Sequence, residues 1–507
     1  MMKEQHVSSR FKVKKKYRKT LARQTVLRSK ISIGYANSSY IITRVRPESR
    51  AYSIARKVIG MTKGNTPIDR LHEVLDEVCT HIQDFTKSPT DFIRNRKLNA
   101  KTTLEVTLNM QGNSLNAELL NAFPNVDERM TASAYEQAKG KLTPEVFQYI
   151  FHEYNKTMPT PKKMDGKYRV FAIDGTDFTT PYNPKSNRIV NTAADNKPVC
   201  MTHGNLLYDI VNKTYADCIL QPRTVADERG AAIDLMKNLD TSVPNIVIMD
   251  RGYDGFNMIE NGNRIPNLFY IIRARASKNG GAIAEIANMP DAECDMDFHT
   301  TVTTSQTFHT KNKDIIPNLH RIKHFNRQYK ESRSKNTDCH RWDFETTCKV
   351  SFRAVKFRIN SDGKDVWEVL VTNLPREEFP IERMKEMYHM RWDIETSFRS
   401  LKYALGGINF HSKKDDFIDM EIFAHLIMYN VVSCCINAVK VIHQKMYAVD
   451  FKMACHLVRQ YFHRKNKKPF ANIFDEIIKY INPVRPGRAD KRNMRSKSPV
   501  WFMYRVA

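Results

Sequence analysis

One stretch of the chain carries four polar residues at helical spacing. Tyr388, Arg391 and Glu395 lie in Tyr388-His-Met-Arg-Trp-Asp-Ile-Glu395, and Lys402 follows after six intervening residues. On a helix with about 100° per residue, Arg391, Glu395 and Lys402 fall within roughly 40° of one another. A carboxylate can hold a divalent metal and Arg and Lys can bind phosphate, so this face has the groups that phosphoryl transfer needs. A solvated helix face with an i,i+4 Arg–Glu pair explains the same pattern.

Two further carboxylates each follow an apolar stretch that is typical of a strand. Asp174 ends residues 168–174, Asp250 ends residues 245–250, and a glycine follows each within two positions. An acid at the end of such a strand faces the crevice where α/β sheets bind ligands, and glycine permits close approach of backbone and ligand. Each Asp-Gly signal is weak alone because such turns are common. Together with Glu395, however, these residues make a candidate set of three carboxylates.

The composition restricts the class of partner. The chain has 507 residues, with 81 Lys and Arg against 55 Asp and Glu and a net charge of +26. This length predicts two to four domains, and the positive charge favours a polyanionic partner, above all nucleic acid. Nine scattered cysteines without a C-x-x-C pair predict a reducing compartment, and argue against a disulfide framework or a zinc ribbon.

The sequence offers little sign of a membrane segment. The N-terminus has Lys and Arg but no apolar core of a secretory signal. The uncharged stretch Ile422–Val439 contains His425, Asn430, Ser433 and Asn437, and these polar residues favour a buried helix of a globular protein. We therefore expect no membrane partner.

The pattern of the chain predicts six segments. They are a basic arm (1–62), a helical DNA-binding region (63–160), the first part of an α/β core (161–279), a β-rich insertion without a convincing helix (280–375), a helical last part of the core (376–410) and a helical C-terminal region with a basic tail (411–507). Two clusters of cations are candidate DNA contacts: Lys14, Lys15 and Lys16 in the arm, and Arg94, Arg96 and Lys97 in the helical region.

The combination of these motifs resembles a known family. Asp174 in Ile-Asp-Gly-Thr, Asp250 in Ile-Met-Asp-Arg-Gly-Tyr and the spacing Tyr-x2-Arg-x3-Glu-x6-Lys are similar to the DDE triad and YREK signature of bacterial insertion-sequence transposases of the type 4 family. Further segments with similar sequence, at Phe92–Leu98, Asn113–Leu120 and His203–Asp209, extend the resemblance over roughly residues 68–410. The arm and the C-terminal region are not part of it.

The resemblance implies a fold and a reaction. The fold would be α/β, with a ribonuclease-H-like catalytic core, a β-rich insertion, and flanking helical regions. Asp174 and Asp250 would lie on neighbouring strands, with Glu395 on a helix packed against them, and together they would hold two Mg²⁺ or Mn²⁺ ions. The reaction would be metal-dependent excision and strand transfer of double-stranded DNA, including a route through hairpin ends.

The resemblance also implies roles for other residues. Tyr388, Arg391 and Lys402 would contact DNA phosphates near the cut end. Apart from the resemblance, the position of Arg251 directly after Asp250 predicts that it pairs either with Asp250 or with phosphate. A flipped base would stack on an aromatic ring, and three tryptophans are candidates: Trp342, Trp367 and Trp392. The working form would be a homodimer on two paired DNA ends, in the bacterial cytoplasm near the nucleoid.

Two other functions stay open. The first is a metal-dependent nuclease on the same fold that cuts DNA without joining it. The second is a non-catalytic DNA-binding protein derived from a transposase. Three gathered carboxylates argue against the second, because a protein that only binds a polyanion has no use for them.

Overall fold

The computed structural model describes most of the chain between residues 55 and 484. The described ranges are 55–58, 66–94, 96–190, 198–275, 283–322, 342–361, 364–442, 447–463 and 472–484. Apart from residues 55–58, the predicted basic arm with Lys14, Lys15 and Lys16 lies outside these ranges, and so does the basic tail. The DNA contacts predicted for the arm therefore stay predictions.

Strands and helices alternate through the middle of the described chain. The strands are β1 Ala55–Val58, β2 Arg169–Thr180, β3 Ile189–Val190, β4 Val199–Asp209, β5 Thr214–Pro222, β6 Asn245–Met249, β7 Leu268–Ala274, β8 Cys294–Thr303, β9 Leu319–Arg321, β10 Thr347–Ser361, β11 Lys364–Thr372, β12 Val439–Ile442, β13 Tyr447–Val449 and β14 Ile481–Pro483. The helices are α1 Pro67–Thr80, α2 Ala100–Asn109, α3 Leu115–Ala122, α4 Ala132–Lys139, α5 Glu145–Lys156, α6 Glu228–Lys237, α7 Phe256–Arg264, α8 Gln306–Asn312, α9 Ile381–His389, α10 Trp392–Arg399, α11 Asp415–Asn437, α12 Phe451–His463 and α13 Ile473–Ile477.

A large mixed sheet forms the centre of the protein. Its order is β3-β4-β2-β6-β7-β11-β10-β8-β9, and β5 also pairs with β4. The neighbours β2, β6 and β7 are parallel, whereas β4, β5, β11, β10 and β8 each pair antiparallel with a neighbour. The predicted α/β class is therefore confirmed at the level of a mixed sheet covered by helices.

Helices cover both faces of this sheet, because its central strands are apolar on both sides. Val170 and Ala172 of β2 face a cluster that contains side chains from α1, α5 and α9 to α12. Phe171 and Ile173 face the opposite cluster, which contains side chains from α6 and α7. Successive side chains of a strand point to opposite faces, so a strand buried on both sides has a continuous apolar run.

One helix in the described ranges is long and apolar enough to cross a membrane. It is α11, which contains most of the stretch Ile422–Val439, and 94% of its apolar window is buried inside the protein. The helix packs on α5, α12 and α2, which gives its apolar side chains protein neighbours on several sides. This burial is that of a core helix.

The strand that carries Asp174 is longer than the sequence predicts. The pattern predicts a strand that ends in a turn after Asp174, but β2 continues to Thr180. The reason is the antiparallel partner β4, which pairs with β2 from Phe171 to Thr180 and satisfies the backbone beyond the acid. Asp174 therefore lies within a strand.

The predicted β-rich insertion has strands, but it differs from the prediction in two ways. It contains a helix, α8, which begins at the N-cap Ser305. In addition, β11 pairs with β7, so β11, β10 and β8 extend the central sheet. Strand pairing across a long sequence separation cannot be inferred from the alternation within each strand.

The helical pattern from Ile381 to Tyr403 predicts one helix, whereas the structure has three consecutive segments. These are α9, α10 and a π-helical segment at Ser400–Ala404. A π-helical turn has i→i+5 hydrogen bonds and changes the rotation per residue. The single straight helix predicted for residues 381–403 is therefore wrong, whereas the site roles predicted for Arg391, Glu395 and Lys402 stay predictions.

Candidate active site

Parallel pairing of two strands brings Asp174 and Asp250 together. Ile173 of β2 is in register with Met249 of β6, and the two aspartates are the next residues along the chain. The carboxylate of Asp174 accepts a 2.9 Å hydrogen bond from the N–H of Gly175. The carboxylate of Asp250 accepts a 2.7 Å bond from the N–H of Gly252, where a short 3₁₀ helix begins.

Glu395 reaches the same place from α10 through a shared arginine. Arg391 lies at the junction of α9 and α10 and is only 6% exposed. Its Nη2 donates a 2.6 Å hydrogen bond to Oε1 of Glu395, and its Nη1 lies 3.5 Å from Oδ2 of Asp174. One guanidinium group thus lies between two of the three predicted carboxylates.

The carboxyl group of Asp174 has an unusual electrostatic environment. Burial raises its pKa to about 7, and the negative charges of Asp250 and Glu395 act in the same direction. The guanidinium of Arg391 and the N–H of Gly175 oppose this rise. Asp250 and Glu395 are therefore near enough to repel the charge of Asp174, and Arg391 compensates this repulsion only in part.

The side chains of Asp174, Asp250 and Glu395 are chemically suitable ligands for a divalent metal ion. They supply hard carboxylate oxygens, the ligand type that Mg²⁺ and Mn²⁺ prefer, and a cation would relieve the repulsion that raises the pKa of Asp174. Within the described ranges, no three Asp, Glu, His or Cys side chains are gathered closely enough to hold one ion as they stand. Arg391 lies between Asp174 and Glu395, so metal binding would require this side chain to shift.

A second group of charged residues borders the site, and the sequence pattern did not reveal it. Arg273 of β7 forms a 2.6 Å ion pair with Glu368 of β11. Burial raises the pKa of Glu368, against the positive charges of Arg273, Arg251 and Arg391. Local spacing contains no signal for this pair, because only the pairing of β7 with β11 brings the two residues together.

Tyr388 lies between two of these arginines. Its ring centroid is 5.9 Å from the guanidinium groups of both Arg273 and Arg391. The side chain is buried, and its hydroxyl has no hydrogen-bond partner among the described residues. A phosphate oxygen would be a suitable partner for this hydroxyl.

Arg251 is exposed at the start of the short helix after Asp250, and no ion pair with Asp250 is seen in the described part of the chain.

Lys402 occupies a different place from the other signature residues. Its Nζ donates a 2.8 Å hydrogen bond to the backbone carbonyl of Asp177 and lies 5.3 Å from the ring centroid of Phe178. Burial lowers its pKa, and the charge of Asp177 opposes this effect. Lys402 thus contacts β2 three residues beyond Asp174 and does not contact Glu395.

The three candidate tryptophans have different surroundings. Trp392 is 52% exposed, and the guanidinium of Arg391 lies 5.3 Å from its ring. Trp367 is flanked by two cations, with Lys356 and Arg358 each within 5 Å of its ring centroid. Trp342 donates a hydrogen bond to the carbonyl of Glu345. Of these tryptophans, Trp392 is the one in contact with a residue of the acidic site.

The cations predicted in the helical region lie apart from these acids in the chain. Arg94, Arg96 and Lys97 are exposed in the loop before α2. Lys97 donates a hydrogen bond to the carbonyl of Asp127 in the same region. Any contact that they make with DNA would therefore come from the helical region, separately from the acidic site.

Comparisons with known proteins identify a family for the chain. The family model described as "Transposase DDE domain" matches residues 165–431, which is more than half of the chain. Among solved structures, the chain is similar to a piggyBac transposase in a synaptic complex with hairpin DNA, with 10% identity and a TM-score of 0.45. This similarity covers 86% of this chain and 90% of the piggyBac chain. No curated protein matches the chain.

The range matched by the family model contains all three acids of the candidate site, Asp174, Asp250 and Glu395. It also contains the strands from β2 to β11 and both helices that carry the signature residues. The chain therefore belongs to the transposase DDE domain family.

Proposed function

We propose that this protein is a cut-and-paste DNA transposase whose catalytic carboxylates are Asp174, Asp250 and Glu395. The observation that carries the proposal is that Arg391 joins Glu395 of α10 to Asp174 of β2, and that Asp250 follows the parallel neighbour β6 closely enough for its charge to raise the pKa of Asp174. Family membership makes DNA cleavage and joining the expected reaction. The finer assignment, to the insertion-sequence type 4 family with its YREK signature, rests on the motif spacing.

The strand order supports a ribonuclease-H-like core. The strands β5, β4, β2, β6 and β7 are neighbours in that order, and β2, β6 and β7 are parallel. The first acid lies on the central strand β2 and the second follows its parallel neighbour β6. The third acid is on a helix that packs against β2. This arrangement directs all three carboxylates to one edge of the parallel strands.

The residues of the chain have distinct tasks in this proposal. Asp174, Asp250 and Glu395 would hold two Mg²⁺ or Mn²⁺ ions. The chemistry that bound ions supply is activation of the attacking oxygen and stabilisation of the leaving oxygen. Arg391 moves away from the carboxylates of Asp174 and Glu395 and binds a phosphate at the cut end. The hydroxyl of Tyr388, which has no partner among the described residues, donates a hydrogen bond to a phosphate oxygen.

The remaining parts of the proposal concern the DNA. The helical region with Arg94, Arg96 and Lys97 and the basic arm bind the terminal inverted repeats of the element. Two copies of the chain pair two DNA ends, because each active site must act on its own end. Excision includes hairpin formation, with the exposed ring of Trp392 stacked on a flipped base.

The experiment is a cleavage and joining assay on labelled inverted-repeat DNA taken from the sequence that flanks the gene. Wild type is compared with Asp174→Asn, Asp250→Asn and Glu395→Gln, with Mg²⁺, with Mn²⁺ and with EDTA. We expect metal-dependent cutting and joined products from wild type only. Each amide variant should still bind DNA, since it removes a negative charge that faces phosphate.

The assay also separates the other functions. Cutting without joined products would indicate a nuclease, and specific binding without cutting in any metal would indicate a DNA-binding protein. Glu395→Gln that cuts at the wild-type rate would refute the assignment of the three acids.

A further inference from the structure

A buried histidine lies behind the strand that carries Asp174. His203 of β4 is directly opposite Asp177 of β2 in the antiparallel register, and it is 3% exposed. Its Nδ1 lies 2.6 Å from Oδ1 of Asp177, and its Nε2 lies 3.4 Å from Oε1 of Glu228 at the start of α6. The imidazole ring thus connects β2, β4 and α6.

The position next to Asp174 has no side chain because His203 fills its space. A Cβ on Gly175 would lie 2.7 Å from Nε2 and 2.8 Å from Cε1 of His203, closer than real Cβ atoms approach a neighbour. The φ angle of Gly175 is not positive, so backbone conformation does not require glycine here. The sequence pattern suggests that this glycine admits a ligand, but the structure places the histidine ring there.

An arginine holds the two acids of this group together. Arg223 lies 3.1 Å from Oδ1 of Asp177 and 4.0 Å from Oε1 of Glu228. Burial alone would raise the pKa of Asp177, but the hydrogen bond with His203 and the charge of Arg223 lower it below its usual range. Asp177 is therefore held as a carboxylate on one side of the ring, and Glu228 lies on the other.

The same strand segment is also held through its backbone. Lys402 donates its hydrogen bond to the carbonyl of Asp177, the residue whose side chain contacts His203. Side chains alternate along β2, so Gly175 and Asp177 share one face while Asp174 points to the other. Contacts to Asp177 thus fix the strand around Asp174 without touching the reacting groups.

We propose that His203 is a positioning residue: bonded to Asp177 and lying beside Glu228, it packs on Gly175 and fixes the part of β2 that carries Asp174. This inference rests on the proposed function, because it assigns to His203 an effect on cleavage. A misplacement of about 1 Å at a catalytic group can lower the rate about 100-fold. The contacts of His203 on the opposite face of β2 therefore affect the reaction by setting the position of Asp174.

The test is a double-mutant cycle with His203→Ala, Gly175→Ala and the variant that has both changes. Single-turnover cleavage at saturating DNA, the Kd for end DNA, the thermal midpoint and Mn²⁺ binding are measured for each protein. Mn²⁺ binding to the DNA-free protein is followed by the loss of the free-ion signal in electron paramagnetic resonance. His203→Gln tests rescue by a side chain that keeps one hydrogen bond.

We expect His203→Ala to cleave about 10-fold more slowly and Gly175→Ala about 100-fold more slowly, with the Kd for DNA changed less than about twofold. The double variant should match His203→Ala, because the added Cβ then has no ring to meet. Mn²⁺ affinity should fall in the same order. His203→Gln should regain part of the rate.

The matched control is Gly262→Ala in α7, where a Cβ would lie 2.5 Å from the ring of Tyr270. It should lower the thermal midpoint and leave the single-turnover rate unchanged. His203→Ala with wild-type rate and Mn²⁺ affinity would overturn the inference, as would a Gly175→Ala defect that does not depend on residue 203. If wild type does not cut DNA, the proposed function fails, and Mn²⁺ binding alone decides the role of His203.

Discussion

Arg391 and Glu395 are joined by a 2.6 Å hydrogen bond, and the same guanidinium extends to Asp174 on the central sheet. Arg391 therefore neutralises part of the charge of two carboxylates that belong to different elements of the fold. This contact joins α10 to the central strand β2 at the acidic site. Guanidinium groups also bind phosphate, which is the role proposed for Arg391 above.

Replacing this arginine should impair cleavage more than DNA binding. A lysine ammonium group lacks the planar pair of N–H donors by which the guanidinium contacts two carboxylates at once. Arg391→Lys should therefore lower the single-turnover rate by more than about 10-fold, and Arg391→Ala should lower it further than Arg391→Lys does. The measurement is single-turnover cleavage of bound end DNA, with the Kd determined in parallel. A large loss of affinity with normal cleavage of the bound fraction would place Arg391 outside the reaction.

Stability without metal should depend on the proton of Asp174. Burial and the neighbouring Asp250 raise the pKa of Asp174 from its usual value near 3.8 to about 7, so the folded state holds this proton more tightly. The free energy of unfolding should therefore fall as pH rises from about 4 to about 7. Asp174→Asn should lessen this fall and be more stable than wild type at pH 8. Denaturant titrations in EDTA at several pH values test this, and identical pH profiles would contradict it.

A buried ion pair links the helical region to the core helix α11. Lys139 and Glu421 are 2.7 Å apart, with side chains 2% and 1% exposed, and the charge of Lys139 helps to keep the pKa of Glu421 low against burial. Lys139→Met should cost about 3 kcal/mol, because it removes the lysine partner of a buried charge and leaves only the contacts of Glu421 with His411. The exposed pair Lys87–Asp416 is the control, and Lys87→Met should cost less than about 1 kcal/mol. Equal costs in denaturant unfolding would refute this.

The basic arm should contribute sequence-independent affinity. Residues 1–30 contain eleven Lys and Arg against one acid, so their removal should weaken binding to all DNA sequences alike. The slope of log K against log salt should become shallower by about 0.9 for each phosphate that the arm neutralises in the full-length protein. An unchanged slope would mean that the arm does not bind phosphate.

Trp392 should stack on a flipped base at the DNA end. The ring is exposed beside Arg391, and stacking on an aromatic ring contributes about 1–3 kcal/mol per base. With 2-aminopurine at the end positions, Trp392→Ala should change the fluorescence of the complex, whereas Trp342→Ala should not. The reverse pattern would assign stacking to Trp342.

The three acids of the candidate site could be proposed from the sequence because each has a local signal. Asp174 and Asp250 follow apolar runs, and Glu395 has a fixed spacing to its neighbours in the signature. The contact of Lys402 with the carbonyl of Asp177 could not be predicted this way, because it joins residues far apart in the chain. The π-helical segment that contains Lys402 also has no signal in the residue spacing.

The sequence by itself determined the mixed α/β class, the net charge that favours DNA, and the residue types of the acidic site. These features follow from local periodicity and composition, which act within a few residues. Only the tertiary structure decided that the β-rich segment extends the central sheet, that Arg273 meets Glu368, and that His203 lies against Gly175. Each of these contacts joins residues far apart in the chain, and pairing register and side-chain packing in the folded protein select them.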